Sequence, residues 1–483
     1  MAERERIEAD LAVVGAGAAG LYAALTGARE GARVALISAT PLARTASYWA
    51  QGGLAAALAV DDSPDLHRAD TERAGRGIVR SSAAAVLCRE APRTVGELER
   101  LGVHFDADRH GNLALGLEGG HSRRRVVHAG GSATGRRVVR QLSAVVVETN
   151  GVTVIEGSRA SKLWTREGRC IGVVCEDGRS VHARAVILAT GGSAALWQRT
   201  TNPPGSLGIG LLLAREAGAA LADLELMQFH PTAVAGINGR EGFLITEAIR
   251  GEGATLLDEH GERFVDELAP RDEVARAIWA TMTRSGAANV HLDMRAIDPG
   301  QFPNVVGALR EAGLDPTSEL VPVCPAAHYG MGGIVADLDG ATTVPGLYAV
   351  GESACTGLHG ANRLASNSLS ECVVFGARAS HAALSEPRAQ PGEPPEAKPL
   401  EPPTAETRAA LWDDAGLVRD AEGLSRLADD PHPLARLIAR HALLRRETRG
   451  AHMRSDYPET DPALDLHHSV TRGAREPGFE RWT

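Results

Sequence analysis

IEADLAVVGAGAAGLYAALTGAREGARVALIS, residues 7–38, decides the fold. The first strand, 7–14, ends in the apolar stretch LAVV and stops at a cluster of three glycines. Helical spacing then runs from 17 to about 30, and a second apolar run, 33–38, closes the segment. Strand, tight turn, helix, strand is one βαβ unit. Gly15, Gly17 and Gly20 give it the pattern GxGxxG. The first glycine permits the turn, the second lets a pyrophosphate approach the backbone, and the third lets the helix pack on the strand. The helix N-terminus favours the phosphate charge. Gly15, Ala16, Gly17, Ala18, Ala19 and Gly20 are therefore cofactor-binding candidates. An acid usually ends the second strand, where it binds a ribose. Ser38, followed by Ala39, stands there instead, which weakens a plain NAD reading and leaves FAD open.

Two later apolar runs also end in glycine, AVILATGG (185–192) and GLYAVGE (346–352). They read as buried parallel strands whose carboxyl ends meet a ligand. Their distance from the first unit makes the nucleotide domain discontinuous. The expected fold is α/β: a Rossmann-like FAD-binding domain of 1–224 and 329–385 with an inserted α+β capping domain, 225–328. A Pro/Glu-rich linker, 386–404, then leads to a C-terminal helical domain, 405–483, which is rich in Ala, Leu and Arg up to 450.

Three more segments turn the dinucleotide into FAD. SYWAQGG supplies a glycine-ended polar turn: Ser47, Tyr48, Trp49, Ala50, Gln51, Gly52 and Gly53. ATGG (189–192) is a second glycine turn after a strand. GESACTGLHGANRLASNSL (351–369) places Glu352 at a strand end, and Ser368 and Leu369 at a helix start. A carboxylate can bind ribityl hydroxyls there, and a helix N-terminus stabilises negative charge on a reduced flavin ring.

The net charge of −10 argues against a general nucleic-acid binder. The six cysteines form no CxxC and no zinc-type cluster, which suits a reducing compartment and no metal. No signal segment and no long apolar run is present in the sequence, so a cytoplasmic protein without a membrane span is expected.

GAGAAG, AQGG, QFHPT (228–232), LITEAIRGEGA (244–254), PRDEVARAI (270–278), PAAHYGMGG (325–333) and GANRLASNSL (360–369) resemble the succinate dehydrogenase/fumarate reductase flavoprotein family. ETRGAHMRSDYP (447–458) resembles that family's C-terminal signature. The resemblance implies a small dicarboxylate substrate. His328 and Arg363 are implied to hold one carboxylate, and His230 and Thr246 the other end. Arg271 matches the family's proton donor/acceptor arginine, with Glu247 and Arg250 as a relay behind it. The residue-level alternative for Arg271 is a substrate clamp or a surface ion pair.

EGGHS (118–122) resembles the loop of the family's amino-acid-oxidising branch, where Glu118 lies near a substrate amine. Its alternative is a solvated loop glutamate. The covalent-flavin histidine of the respiratory members falls at Ala46, so non-covalent FAD is implied. Two positions depart from the family pattern: Ile209 and Ser132 stand where acids are expected. The expected activity is FAD-dependent oxidation of L-aspartate to iminoaspartate, with dioxygen or fumarate as acceptor, at the head of NAD synthesis. A quinolinate synthase is the implied partner. The competing readings are a soluble fumarate reductase or succinate dehydrogenase-like flavoprotein and a non-catalytic flavin-binding subunit. A flavin disulphide reductase with an NAD(P) site is a further one, but it lacks a redox CxxC.

Overall fold

The computed structural model describes residues 5–42, 44–396 and 398–483. At its centre five parallel strands lie in the order Leu347–Ala349, Ala185–Leu188, Leu11–Val14, Val34–Ser38, Val152–Glu156. Residues Leu11–Val14 and Ala185–Leu188 are buried throughout, as continuous apolar runs in a parallel sheet should be. Helices Ala18–Arg29 and Asn367–Leu384 share an apolar core on one face of this sheet. Three distant parts of the chain thus build one sheet, and their carboxyl ends open on the same side.

The expected single first strand, 7–14, is in fact two. Arg6–Glu8 pairs with Ser180–His182 in a separate sheet that continues through Arg169–Cys175 and Ala160–Arg166. The chain changes partner at one step: Ala9 N donates to His182 O, and Asp10 N donates to Arg33 O.

An antiparallel sheet, ordered Met227–Val234, Val321–Gly330, Val290–Asp293, Thr255–Leu257, occupies the expected inserted segment and runs past its expected end at 328, because the strand continues to Gly330. Helix Arg271–Ser285 packs on it, and Val234, Leu256, Ile278, Leu292 and Val323 belong to a separate core. Met227, Phe229, Ala275 and Ala327 of the same segment instead join the core that contains Val14, Val186 and Leu188, so the segment is also packed onto the parallel sheet's core.

Among the described residues, 386–404 holds neither helix nor strand. Helices Ala405–Asp414, Ala421–Leu427 and Pro433–Leu444 follow. The expectation of helix up to residue 483 needs correction beyond them. His467–Thr471 and Gly478–Arg481 are strands; the first pairs antiparallel with Leu221–Ala222 and completes a sheet with Gly333–Val335 and Ala354–Cys355. The physical reason is edge pairing, since Leu221–Ala222 gains a hydrogen-bonded neighbour on its second side.

This C-terminal part meets the start of the cap sheet through buried charges. Arg445 Nε donates to Glu225 Oε1 (2.7 Å), and its Nη1 donates to Glu447 Oε1 (3.0 Å). Arg449 Nε also donates to Glu447 (2.8 Å), and Arg419 Nη1 donates to the Glu225 carbonyl (2.6 Å). Ser469 Oγ donates to Glu225 Oε2 (2.7 Å), so every Glu225 oxygen has a partner. Glu225, Arg445 and Glu447 are 0% exposed, so these pairs are shielded from solvent screening.

Candidate active site

A cavity of about 1080 Å³ runs along the carboxyl ends of the parallel strands and on beneath the cap sheet. At the sheet it begins at the first glycine turn. Gly15 has φ +107°, and a Cβ there would lie 2.2 Å from Ala189 O; one on Gly20 would lie 1.9 Å from Gly15 O. Only glycine fits either place. Helix Ala18–Arg29 starts at Gly17 without a side-chain cap, so its first-turn amides are free for an anion except Ala18 N, which donates to Ser47 Oγ (3.1 Å).

Of the cofactor-binding candidates, all but Ala18 and Gly20 line this cavity. Ser38 lines it too, but its hydroxyl donates to Thr40 O (2.5 Å). Ile209 begins helix Ile209–Glu216 and presents no polar atom to the cavity. Ser132 is buried with its hydroxyl unpartnered. A carboxylate still secures its loop, because Asp106 accepts from Gly130 N (2.7 Å) and Gly131 N (2.8 Å).

The residues fit a polar dinucleotide. Thr45 Oγ1, Gln51 Oε1 and Thr190 Oγ1 line the cavity, are buried, and have no partner among the described residues. Buried polar atoms without partners are costly unless a ligand satisfies them. Glu352 accepts from Gly330 N (3.0 Å), and burial pushes its carboxyl up from 4.5 to about 7. The charged form is thus disfavoured in the folded protein, increasingly so as pH rises from 4.5 to about 7. Hydroxyl donors from a cofactor would stabilise that charged form and release a proton. FAD affinity of the apoprotein is therefore expected to climb with pH up to about 7, by at most about tenfold per unit, and then level. FAD fluorescence quenching at several pH values measures this. A Glu352→Gln variant should lose the slope, and a slope that survives it assigns the effect elsewhere.

Beneath the cap sheet the lining changes to cations and histidines. His328 sits at a β-bulge: Gln228 pairs with Tyr329 and Phe229 with Ala327, leaving His328 unpaired between them. A bulge re-aims side chains, and here consecutive residues, His328 and Tyr329, both reach the cavity. Arg363 Nη2 donates to His328 Nε2 (3.3 Å) and Nη1 to Ser368 Oγ (3.0 Å). Its guanidinium lies 4.4 Å from the Tyr329 ring centroid. Burial and the neighbouring Arg271 charge lower its pKa to about 10. His230 packs edge-on against His328 at 5.1 Å. Burial, then the charge of Arg271, holds both histidines well below their usual range, so both are neutral near pH 7. Thr246 lines the same end and caps helix Glu247–Gly251.

Arg271 is 8% exposed, which removes the surface ion-pair alternative. Its Nε donates to Glu247 Oε2 (2.6 Å) and its Nη1 to Gln228 Oε1 (3.1 Å). The other Glu247 oxygen accepts from Gly119 N (2.8 Å), and Arg250 Nη2 lies 3.7 Å from Oε2. Arg250 does not line the cavity; it stands behind Glu247, buried, with Nε and Nη2 unpartnered.

Glu118 is 3% exposed and lines the cavity, so the solvated-loop alternative fails. Burial alone would raise its pKa. The His128 contact (3.4 Å), the Ser366 hydroxyl (2.6 Å) and the Arg271 charge outweigh that and bring it down to about 2. It is an ionised carboxylate facing a cavity otherwise furnished with arginines.

Sequence reading did not single out Gln228, Tyr329, His128 or Ser366. Gln228 had a signal, since it shares a strand face with His230 two residues on.

A parallel sheet with a glycine-turn cavity at its carboxyl edge and a cationic chamber under a second sheet defines an FAD-dependent oxidoreductase. Residues 10–369 match the model of the FAD binding domain, and residues 429–480 match the fumarate reductase flavoprotein C-terminal domain. The chain is 46% identical to the L-aspartate oxidase of Caulobacter vibrioides, with 97% of each chain covered. It is 41% identical to that of Streptomyces coelicolor, covering 96% of this chain and 92% of the relative. The chain belongs to the L-aspartate oxidase family of flavoproteins. Among solved structures it is similar to the E. coli quinol fumarate reductase flavoprotein, with TM-score 0.89 and 27% identity, covering 99% of this chain and 97% of that one. It is also similar to Mycobacterium smegmatis Sdh1, with TM-score 0.83 and 31% identity, covering 99% and 94%. Among the described residues no helix is long and apolar enough to cross a membrane.

Proposed function

We propose that the protein oxidises L-aspartate to iminoaspartate, with dioxygen or fumarate as the final acceptor, and so opens the quinolinate route to NAD. The observation that carries this reading is the ionised, buried Glu118 among arginines. A dicarboxylate alone has no cation to place beside it, whereas an α-ammonium group does. The names of the family relatives support the same substrate.

L-Aspartate loses two electrons and two hydrogens across its Cα–N bond, which becomes C=N. Bound FAD supplies the two-electron acceptor. Arg363 and His328 hold one carboxylate, with the arginine fork as the principal donor. Neutral His230 and Thr246 donate to the other end. Glu118 fixes the ammonium group and so sets which face of Cα is presented. Arg271 clamps the substrate and, through Glu247 and Arg250, offers a path for the proton. FAD is held without a covalent bond, since Ala46 has no nucleophile. Residues 225–328 act as a cap that closes over the substrate and excludes water. A cytoplasmic setting and a quinolinate synthase that consumes the unstable imine complete the proposal.

Anaerobic addition of L-aspartate to the FAD-loaded protein tests it. The flavin absorbance near 450 nm should bleach with L-aspartate and persist with D-aspartate and with succinate. Bleaching by succinate but not L-aspartate would instead establish a fumarate reductase-like enzyme.

A further inference from the structure

We propose that Ser366 is a positioning residue for the substrate amine: its hydroxyl aims the Glu118 carboxylate into the chamber and ties it to the flavin turn. This rests on the reading of the substrate as L-aspartate. Ser366 occupies the N-cap position of helix Asn367–Leu384, where a serine ordinarily caps the first amides through its side chain. Here it makes no such bond. It adopts φ +60°, in the left-handed region that disfavours a residue with a Cβ.

The hydroxyl is used elsewhere. It accepts from Gly53 N (3.0 Å), the last residue of the flavin turn, which leaves its own proton free to donate elsewhere. The proton goes to Glu118 Oε2 at 2.6 Å. Ser366 also accepts Ala55 N at its carbonyl (3.0 Å), and the neighbouring Ala365 carbonyl pairs with His121 Nε2 (2.9 Å) in the Glu118 loop. Two loops far apart in sequence therefore meet at one strained serine, with Glu118 held between them. A strained backbone persists where the surroundings over-determine it, and such places cluster at functional sites. The other charged or titratable groups around Glu118 are His128, Arg271, His121, Arg250 and Arg363. None of them is hydrogen-bonded to both the flavin turn and the carboxylate, as Ser366 is. A carboxylate free to swivel in this chamber would turn to Arg271 and cease to select an amine.

The test uses the FAD-loaded full chain with Ser366→Ala and Ser366→Gly. Glycine relaxes the positive φ, so a loss shared by both variants belongs to the hydroxyl. Each is expected to lower kcat/KM for L-aspartate about tenfold, mainly through KM, and to slow flavin reoxidation by fumarate far less. In a Glu118→Gln background neither should lower it further. Wild-type behaviour in the glycine variant, equal losses for both substrates, or full additivity with Glu118→Gln would overturn the proposal.

A second readout needs no substrate. Glu118 lies below its ordinary 4.5 in the fold, at about 2, so its stabilising contribution is present above 4.5 and lost as pH falls towards about 2. Without the Ser366 donor that difference narrows. The fall in Tm between about pH 6 and about pH 3.5 should be smaller in Ser366→Ala than in wild type, and unaffected by the substitution in a Glu118→Gln background. If L-aspartate fails to bleach the wild-type flavin, the substrate reading falls, while the Tm comparison still decides whether Ser366 governs Glu118.

Discussion

Glu118→Gln is expected to cut kcat/KM for L-aspartate by about 100-fold, equivalent to about 2.7 kcal/mol, while flavin reoxidation by fumarate changes far less. The amide is nearly isosteric and keeps an oxygen for the Ser366 hydroxyl, so packing and loop position persist. What it removes is the negative charge at a place 3% exposed, where water cannot replace it as the ammonium partner. Breaking one side of a buried, hydrogen-bonded charge pair costs 2–5 kcal/mol or more, and the lower part of that range is expected because the ammonium retains other polar contacts. Fumarate has no amine and gains nothing from the charge; the substitution removes a repulsion from its carboxylates. Single-turnover flavin reduction by L-aspartate and reoxidation by fumarate, measured on one preparation, separate the two. Equal losses would detach Glu118 from the amine.

Arg363→Leu is expected to be more severe and less selective, with kcat/KM falling roughly 1000-fold for L-aspartate and by a similar factor for fumarate, about 4 kcal/mol in each case. Arg363 offers a fork beside His328 and Ser368, over the Tyr329 ring, while the neighbouring Arg271 is engaged by Glu247 and Gln228. Without it, any substrate carboxylate at that end enters a dry pocket facing a neutral histidine. Leucine fills part of the volume, so the cavity wall should stand and FAD content, read from absorbance, should remain near wild type. Steady-state kinetics with both substrates measures the loss. A variant that kept fumarate turnover but lost L-aspartate would show that Arg363 does not hold a carboxylate common to both substrates.

The contrast between these residues shows what the amino-acid order makes legible. Leu11–Val14, Ala185–Leu188 and Leu347–Ala349 were legible as apolar runs ending in glycine and Val34–Ser38 as the return strand of the βαβ unit, whereas the edge strand Val152–Glu156 was not read from the sequence; Gly15 and Gly20 are dictated by contacts too close for any other residue. Glu118, His230, Arg271 and Arg363 were legible because long motifs carry them. Their mutual geometry was not. Tyr329 follows His328 directly, and a two-residue period places neighbours on opposite faces; only the bulge brings both to the cavity. Ser366 looks like an ordinary helix cap until its φ and its hydroxyl partners are known. The strand His467–Thr471 was hidden because its partner, Leu221–Ala222, lies about 250 residues earlier and a local pattern cannot announce it.

The buried ion pairs of Arg445 with Glu225 and Glu447 constrain how this chain can change. Each member is a counterion to another, so neutralising one strands its neighbour's charge in a medium with no water to absorb it. Such a set drifts through compensated pairs or toward a wholly apolar replacement, and single exchanges are filtered out. The C-terminal region is thereby bound to the entrance of the cap by electrical neutrality as much as by shape, and the two are expected to vary together or not at all.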